Sequence, residues 1–230
     1  MKTPFFLFVV FFCFTIIPAR AQTGSSGKPV SEAGDSEVFR FPLTSKTRSP
    51  FTAACANLAE HPVVKGNFEQ TKTISRLNRS LVSRGNFIIA ADIGMVWETL
   101  SPFPSTMAVG RDFIIQSTHS GARTKIEARG NETFLRLSET ISTIFSGNSQ
   151  KLMENFEIFF LQSGSSWILG LLPSEKSIRS FASRIILNGD SVIRSINLYE
   201  QNGDTIRYTL SNHVFSGILG PDEKALFSDQ

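Results

Sequence analysis

The alternation of apolar and polar positions predicts a chain that is built mainly from β-strands. From residue 63 onward, apolar and β-branched residues form short runs that are separated by Asn, Gly, Asp and Pro. Separators of this kind are typical of hairpins, so we expect the strands to pair antiparallel in sequence order. The predicted strands are residues 63–74, 80–91, 94–100, 105–110, 112–118, 123–129, 157–162, 166–173, 179–189, 191–201 and 205–217.

A helix is predicted ahead of the first strand. Ser49 is suited to be its N-cap and Pro50 its first helical residue, and the pattern ends near Glu60. Apolar residues recur within it at i, i+3, i+4 and i+7, which is the spacing of one helical face. This stripe consists of Phe51, Ala54, Cys55 and Leu58.

A second helical region interrupts the strands. Asn131 is suited to cap a helix that ends before Gly147, and residues 149–156 predict a further turn or two. Because a sheet of eleven strands must curl, we expect the three helices to lie across its mouth or in its concavity, where their apolar faces find a partner. The apolar face of the longer helix consists of Phe134, Leu137, Ile141, Ile144 and Phe145.

The N-terminal residues predict export. Lys2 precedes a continuous apolar run over residues 5–17, and Ala19-Arg20-Ala21 has the form of a cleavage site. Thirteen apolar residues are too few to span a bilayer as a helix, which needs roughly 20. We therefore predict a signal peptide at residues 1–21, a flexible Gly- and Ser-rich leader at 22–48 and one domain at 49–230.

Charge and chemistry exclude several functions at the level of sequence. Removal of Lys2 and Arg20 lowers the formal net charge from +3 to +1, which gives no reason to expect a nucleic-acid partner. The three histidines are isolated, and no catalytic or metal-ligand spacing stands out. Cys55 is the one cysteine left after cleavage, and its place on a helical stripe indicates a buried hydrophobe. We expect no enzyme activity, no cofactor and no metal.

The strands between residues 80 and 118 carry bulky apolar residues with a common parity. These residues are Leu81, Phe87, Ile89, Met95, Trp97, Met107, Val109, Phe113 and Ile115. Two interpretations remain open from periodicity alone. The residues either form a packed core between the sheet and the helices, or they line an apolar cavity that the helices open and close.

Several short motifs, in order, resemble the periplasmic outer-membrane lipoprotein carriers, the LolA-like family. The resemblance covers about residues 50–228. It rests on Gly66-x-Phe68-x-Gln70, Gly85-x-Phe87, Trp97-Glu98 followed by Pro102-x-Pro104, Gly110-Arg111, "SWILGLLP", "LYEQNGDTIRYTLSN" and "DEKALF". Between the second and third strands, Ala90-Ala91-Asp92 stands where the family usually has a basic residue and a proline. The usual arginine there bonds to the lid helices.

The resemblance implies an unclosed antiparallel β-barrel with helices that form a lid over an apolar cavity. It also implies a monomeric periplasmic carrier that takes lipoprotein acyl chains from an inner-membrane release complex to an outer-membrane acceptor. A relative that carries another lipid or glycolipid, or a lipid- or lipoprotein-binding sensor of the same fold, is the alternative. The residues predicted to line the cavity and lid are Leu81, Phe87, Ile89, Met95, Trp97, Met107, Phe113, Phe134, Leu137, Ile141 and Phe145.

Overall fold

A computed structural model describes residues 36–127 and 132–228 of the chain. The predicted signal peptide therefore lies outside the described residues, as do Asn131 and the last two residues of the predicted strand 123–129. Eleven strands form the framework. They are β1 (Val63–Ile74), β2 (Arg79–Ala90), β3 (Gly94–Ser101), β4 (Ser105–Gly110), β5 (Phe113–Thr118), β6 (Arg123–Glu127), β7 (Phe156–Ser163), β8 (Ser166–Pro173), β9 (Arg184–Gly189), β10 (Ile193–Tyr199) and β11 (Thr205–Ser216).

The helical elements stand before, between and after the strands. The α-helices are α1 (Ser45–Ala59), α2 (Glu132–Phe145), α3 (Ser149–Asn155), α4 (Lys176–Arg179) and α5 (Pro221–Ala225). Two short 3₁₀-helices are η1 (Glu37–Arg40) and η2 (Ser75–Leu77).

All eleven strands belong to one antiparallel sheet in the order β6-β5-β4-β3-β2-β1-β11-β10-β9-β8-β7. The first and last strands are neighbours at its centre, and each half of the sheet runs outward in sequence order. The sheet is not closed, because β6 and β7 stand at opposite edges. Helices α2 and α3 connect these two edges, so the chain must cross a face of the sheet between them. The predicted mainly β fold, an unclosed barrel with helices, is confirmed.

Strand register shows which residues share the face that the helices cover. Phe87 pairs with Trp97, and Trp97 pairs with Met107 on the next strand. One step along, Ile89 pairs with Met95, which leads through β4 to Ile114 on β5. Directly opposed residues point to the same side of a sheet. These residues join α1, α2 and α3 in the main apolar cluster, and we call this side the inner face.

Both ends of the chain cover parts of the other side, the outer face. Val38 of η1 is fully buried and packs with Phe159 and Ile186. At the opposite half of the sheet, Phe227 follows α5 and packs with Val96 and Ala108. The uncovered middle of the outer face is polar, as expected for a sheet surface in contact with water.

A row of hydrogen-bonded side chains crosses that polar middle. Asn212 Nδ2 donates to Asn67 Oδ1 at 2.8 Å, Asn67 Nδ2 to Asn86 Oδ1 at 2.8 Å, and Asn86 Nδ2 to Glu98 Oε2 at 2.7 Å. These four residues lie on four adjacent strands. The row therefore marks the outer face as the solvated one and the inner face as the apolar one.

The start of α1 differs from the sequence-based prediction. The helix begins at Ser45, with Thr44 as N-cap, rather than at Pro50. Thr44 and Thr47 satisfy one another's backbone N–H groups as a capping box, at 2.9 Å and 3.3 Å. Pro50 lies inside the helix. Of the predicted leader 22–48, residues 36–48 are described, and through η1 and α1 they belong to the folded domain.

The predicted strand 179–189 also begins later, at Arg184. The residues before it form α4 and a turn that place Ile178, Phe181 and Ala182 in the inner-face cluster. Their spacing of i, i+3 and i+4 is helical rather than strand-like, which is the physical reason for the difference.

Candidate functional site

The inner face has an aromatic floor that two Gly-x-Phe motifs create. Gly66 on β1 pairs with Phe87 on β2, and Phe68 on β1 pairs with Gly85 on β2. A Cβ at Gly66 would lie 2.8 Å from the ring of Phe87, and one at Gly85 would lie 3.0 Å from the ring of Phe68. Each glycine thus leaves space for a phenylalanine on the neighbouring strand. The spacing of the motif follows from this reciprocal fit.

Trp97 lies at the centre of this floor. Its ring centroid is 4.6 Å from that of Phe68, 5.8 Å from that of Phe87 and 5.1 Å from that of Tyr208. Met107 pairs with Trp97 across the next strand. We call Phe68, Phe87, Trp97 and Tyr208 the aromatic floor. Contacts of this kind contribute beyond simple burial, which gives the floor a defined geometry.

Helix α1 is firmly seated over the other half of the sheet. Phe51 is fully buried, and its ring lies 5.7 Å from that of Phe160 on β7. Cys55, predicted to be a buried hydrophobe, is 3 % exposed. At the end of α2, Gly147 has a φ of 62°, and a Cβ there would lie 2.1 Å from the carbonyl oxygen of Cys55. The predicted helix stop at Gly147 is confirmed, and only glycine allows this close approach.

Helix α2 lies against the strands β2 to β4, and part of its described apolar face remains accessible. Ile141 and Phe145 are only half-buried although they pack against the main apolar cluster, whereas Ile144 is buried. One polar contact ties the helix to the sheet: the Ser138 hydroxyl donates to the carbonyl oxygen of Gly110 at 2.9 Å, and Ser138 is buried. We call α2 the lid.

Two small clefts lie beside the lid. The first separates α2 from β2 to β4 and has a volume of about 30 Å³. Ile89, Ala91 and Met95 line it on the sheet side, so it opens beside the turn Ala90-Ala91-Asp92. The second cleft, also about 30 Å³, reaches Phe87 and lies below α1. Both clefts are lined by Ile89 and by Phe145, so these two residues form the partition between them.

At these two clefts, the described residues leave little space between the helices and the sheet. A cleft of about 30 Å³ holds a few water molecules, whereas pockets for drug-sized ligands are roughly 300–1,000 Å³. A long apolar ligand could enter the first cleft only if the lid moved away from β2 to β4.

The inner face also contains a buried charge. Lys72 follows Phe68 on β1 with the same parity and pairs with Ile206, a member of the inner-face cluster. Its Nζ lies 3.1 Å from Glu200 Oε1, and the Lys72 side chain is 4 % exposed. Pairing is what makes a charge tolerable at such a buried position.

Two titratable groups near the second cleft have shifted pKa values. Burial, helped by the nearby Arg194 guanidinium, lowers the pKa of His213 below its usual value, although the Ile193 carbonyl and Asp190 oppose the shift. Burial raises the pKa of the Cys55 thiol to about 12. Both groups are therefore uncharged at neutral pH, as suits an apolar interior.

Residues 36–127 and 132–228 contain no group of three or more His, Cys, Asp or Glu side chains that could hold a metal ion. None of the helices in these ranges is both long enough and apolar enough to cross a membrane.

The structure brings most of the predicted site residues together. Phe87, Ile89, Met95 and Trp97 are buried in the inner-face cluster, and Met107, Ile141 and Phe145 pack against it. Leu81 lies on the inner face by register with Lys72, but it is half-buried and outside that cluster. Phe134 and Leu137 belong to the lid, and their side chains are outside the described part of the structure.

Phe113 is placed on the outer face, which corrects its assignment to the cavity. Val109 pairs with Ile114, so Ile114 takes the inner side of β5 while Phe113 and Ile115 pack near Phe227. Phe113, Ile114 and Ile115 are all apolar, so the pattern of β5 alone fits both orientations. Register with β4 selects one of them.

Sequence reasoning missed part of the site. Phe68 and Tyr208 complete the aromatic floor, and Ser138 ties down the lid. The Gly66-x-Phe68 motif was a usable signal for Phe68. Ser138 had none, because its partner lies 28 residues earlier in the chain.

An open half-barrel with an apolar, lidded inner face defines a binding protein for an apolar ligand. The sequence matches the family described as outer membrane lipoprotein carrier protein LolA over residues 60–219. The chain therefore belongs to this family, whose members are carriers or binders rather than enzymes. No curated protein shows a significant match to the sequence.

Solved structures show similarity to this chain at low sequence identity. An outer membrane lipoprotein-sorting protein domain from Vibrio parahaemolyticus is similar at 10 % identity and a TM-score of 0.41, with 80 % of this chain and 97 % of that chain covered. A LolA superfamily protein from Nitrosomonas europaea is similar at 8 % identity and a TM-score of 0.41, with 77 % and 96 % covered. MucB in the MucA/MucB complex of Pseudomonas aeruginosa is similar at 10 % identity and a TM-score of 0.43, with 79 % and 61 % covered.

Proposed function

We propose that this protein is a periplasmic carrier that shelters the acyl chains of lipoproteins on its inner face and takes them from the inner to the outer membrane. The observation that carries the proposal is the apolar inner face with its aromatic floor, beside a lid whose Ile141 and Phe145 are only half-buried. Family membership supports a lipid- or lipoprotein-binding carrier, and the signal peptide predicted at residues 1–21 supports export.

The energetics of lipid in water explain why such a carrier is needed. Each CH₂ group kept from water is worth about 0.8 kcal/mol, so one chain of about 16 carbons involves on the order of 12 kcal/mol. A lipoprotein could not leave a membrane at a useful rate against this cost without a sheltering surface. The carrier must supply apolar contact and still release its cargo to an acceptor.

The loading step that we propose is displacement of the lid. Lifting α2 would expose Ile89 and Met95 and separate Phe145 from Ile89, which would join the two clefts into one groove along the aromatic floor. The acyl chains would then occupy the space that the side chains of the lid fill in the closed form. The inner-membrane release complex and the outer-membrane acceptor are partners that this cycle requires.

A binding experiment on the purified protein tests the proposal. Titration with a fluorescent fatty-acyl probe should give saturable binding and a shift in tryptophan emission. Ile141→Asn places an amide on the inner side of the lid and should weaken probe binding about tenfold or more, because burying one such apolar side chain is worth roughly 1.5–3 kcal/mol. Leu135→Asn, an exposed position on the same helix, is the matched control and should change little. Failure of the unaltered protein to bind the probe would overturn the proposal.

A further inference from the structure

The two tryptophans of this chain differ in how their indole N–H groups are satisfied. Trp167 Nε1 donates to the carbonyl oxygen of Asp190 at 2.6 Å. Trp97 Nε1 is buried and has no acceptor among the residues that the structure describes. Trp97 as a whole is 8 % exposed. A buried indole N–H usually has a hydrogen-bond partner, so an open donor at this depth requires an explanation.

The surroundings of Trp97 make a partner from the protein wall unfavourable. Rings of Phe68, Phe87 and Tyr208 pack against it, and Met107 faces it across the strand. The aromatic floor is thus an apolar surface that contains an indole N–H with no acceptor among the described residues. Phe87 also lines the second cleft, so the aromatic floor borders the space that a ligand would enter.

The chemistry of the indole N–H determines which kind of ligand group could bind to it. An indole N–H donates and cannot accept, so its partner must supply a lone pair. A neutral carbonyl oxygen meets this need without bringing charge into an apolar site. An ionised carboxylate would carry a large desolvation cost there. Lys72, the buried cation on the same face, is already paired with Glu200.

We propose that Trp97 Nε1 donates a hydrogen bond to the carbonyl oxygen of an ester- or amide-linked acyl chain in the cargo. The site then recognises the acyl linkage in addition to the hydrocarbon chain, and it favours acyl esters and amides over plain hydrocarbons. This inference rests on the proposed function, because it requires acyl chains to reach the aromatic floor.

Nuclear magnetic resonance of the ¹⁵N-labelled indole groups tests the contact directly. The chain has two tryptophans, and the signal that disappears in Trp97→Phe belongs to Trp97. Methyl palmitate and heptadecane, delivered from cyclodextrin, are probes of similar length with and without a carbonyl. Methyl palmitate should move the resonance of the Trp97 indole proton downfield, because a hydrogen bond forms. Heptadecane should cause no such downfield shift. The Trp167 signal should stay in place with both probes.

Affinity measurements on variants provide the second readout. Trp97→Phe keeps a ring but removes the donor, so it should weaken methyl palmitate binding roughly 2- to 12-fold, the range of one hydrogen bond. Binding of heptadecane should be retained, which also shows that the variant is folded. Trp167→Phe is the matched control and should preserve the preference for the ester.

The outcomes separate this inference from the function on which it rests. Equal binding of both probes to the unaltered protein and to Trp97→Phe, with no downfield shift, would overturn the role of Trp97 and leave the carrier function standing. If neither probe binds to the unaltered protein, both the role of Trp97 and the carrier function are overturned.

Discussion

The Ser138 hydroxyl is the most specific point at which the lid can be loosened. Ser138→Ala deletes the donor to Gly110 and leaves the helix backbone in place. A buried hydrogen bond contributes about 0.5–1.5 kcal/mol net. If this bond exists only in the closed form, its loss should raise the open fraction roughly 2- to 12-fold, because 1.4 kcal/mol is a factor of ten.

Hydrogen exchange and ligand binding measure the two sides of this shift. Amides in α2 (Glu132–Phe145) should lose protection by roughly 2- to 12-fold, while those in β11 should not change. Affinity for the acyl probe should rise by a similar factor, because a ligand that binds only the open form gains when that form is more populated. Both readouts use the same variant and need no assumption about the cargo.

Ser142→Ala is the matched control. Ser142 is an exposed residue on the same helix, at the rim of the first cleft, and the substitution raises helix propensity as Ser138→Ala does. It should leave exchange and affinity close to those of the unaltered protein. If Ser138→Ala behaves like Ser142→Ala in both assays, the Ser138–Gly110 bond does not hold the lid, and the loading step proposed above loses its support.

Three further predictions concern the floor and its surroundings. Gly66→Ala would place a Cβ 2.5 Å from the Ser211 carbonyl oxygen and 2.8 Å from the Phe87 ring. Denaturant titrations should show that it lowers the free energy of unfolding by about 1–3 kcal/mol. Gly217→Ala, where a Cβ would have no atom within 4 Å, should leave the free energy of unfolding unchanged. The pKa of His213 is lowered in the folded protein, so the unfolded chain binds the proton first as the pH falls below about 6.5. The free energy of unfolding should therefore decrease from pH 7 to pH 5. His213→Gln should make this pH dependence weaker. With its pKa raised to about 12, Cys55 should react with iodoacetamide at pH 8 about a thousandfold more slowly than an unperturbed thiol, and a comparable rate would contradict the burial.

The sequence predicted the sheet well because its strands are joined by short turns. Antiparallel neighbours that follow one another in the chain need no long-range information, and each turn carries its own Gly, Asn or Asp signal. The same local logic explains why Gly147 was recognised as a helix stop. The local signal was misleading at the start of α1. The helix begins at the Thr44–Thr47 capping box rather than at Ser49–Pro50, which lies closer to the apolar stripe.

The parts of the site that depend on register or on distant contacts were beyond sequence reasoning. Phe113 was assigned to the wrong face, because three consecutive apolar residues remove the alternation that marks a face. The open donor of Trp97 and the bond of Ser138 are properties of three-dimensional neighbours. Residue type gives no hint of either, since most buried tryptophans and serines find a partner close by.

The central claim is that the protein carries lipoproteins by their acyl chains. Native mass spectrometry of the protein isolated from the periplasm of its own cells measures this most directly. The account predicts a complex with one acylated lipoprotein, which disappears when the cargo's acylated cysteine is replaced. Recovery of the protein without cargo in cells that export lipoproteins, or with a free lipid or glycolipid in place of a lipoprotein, would contradict it.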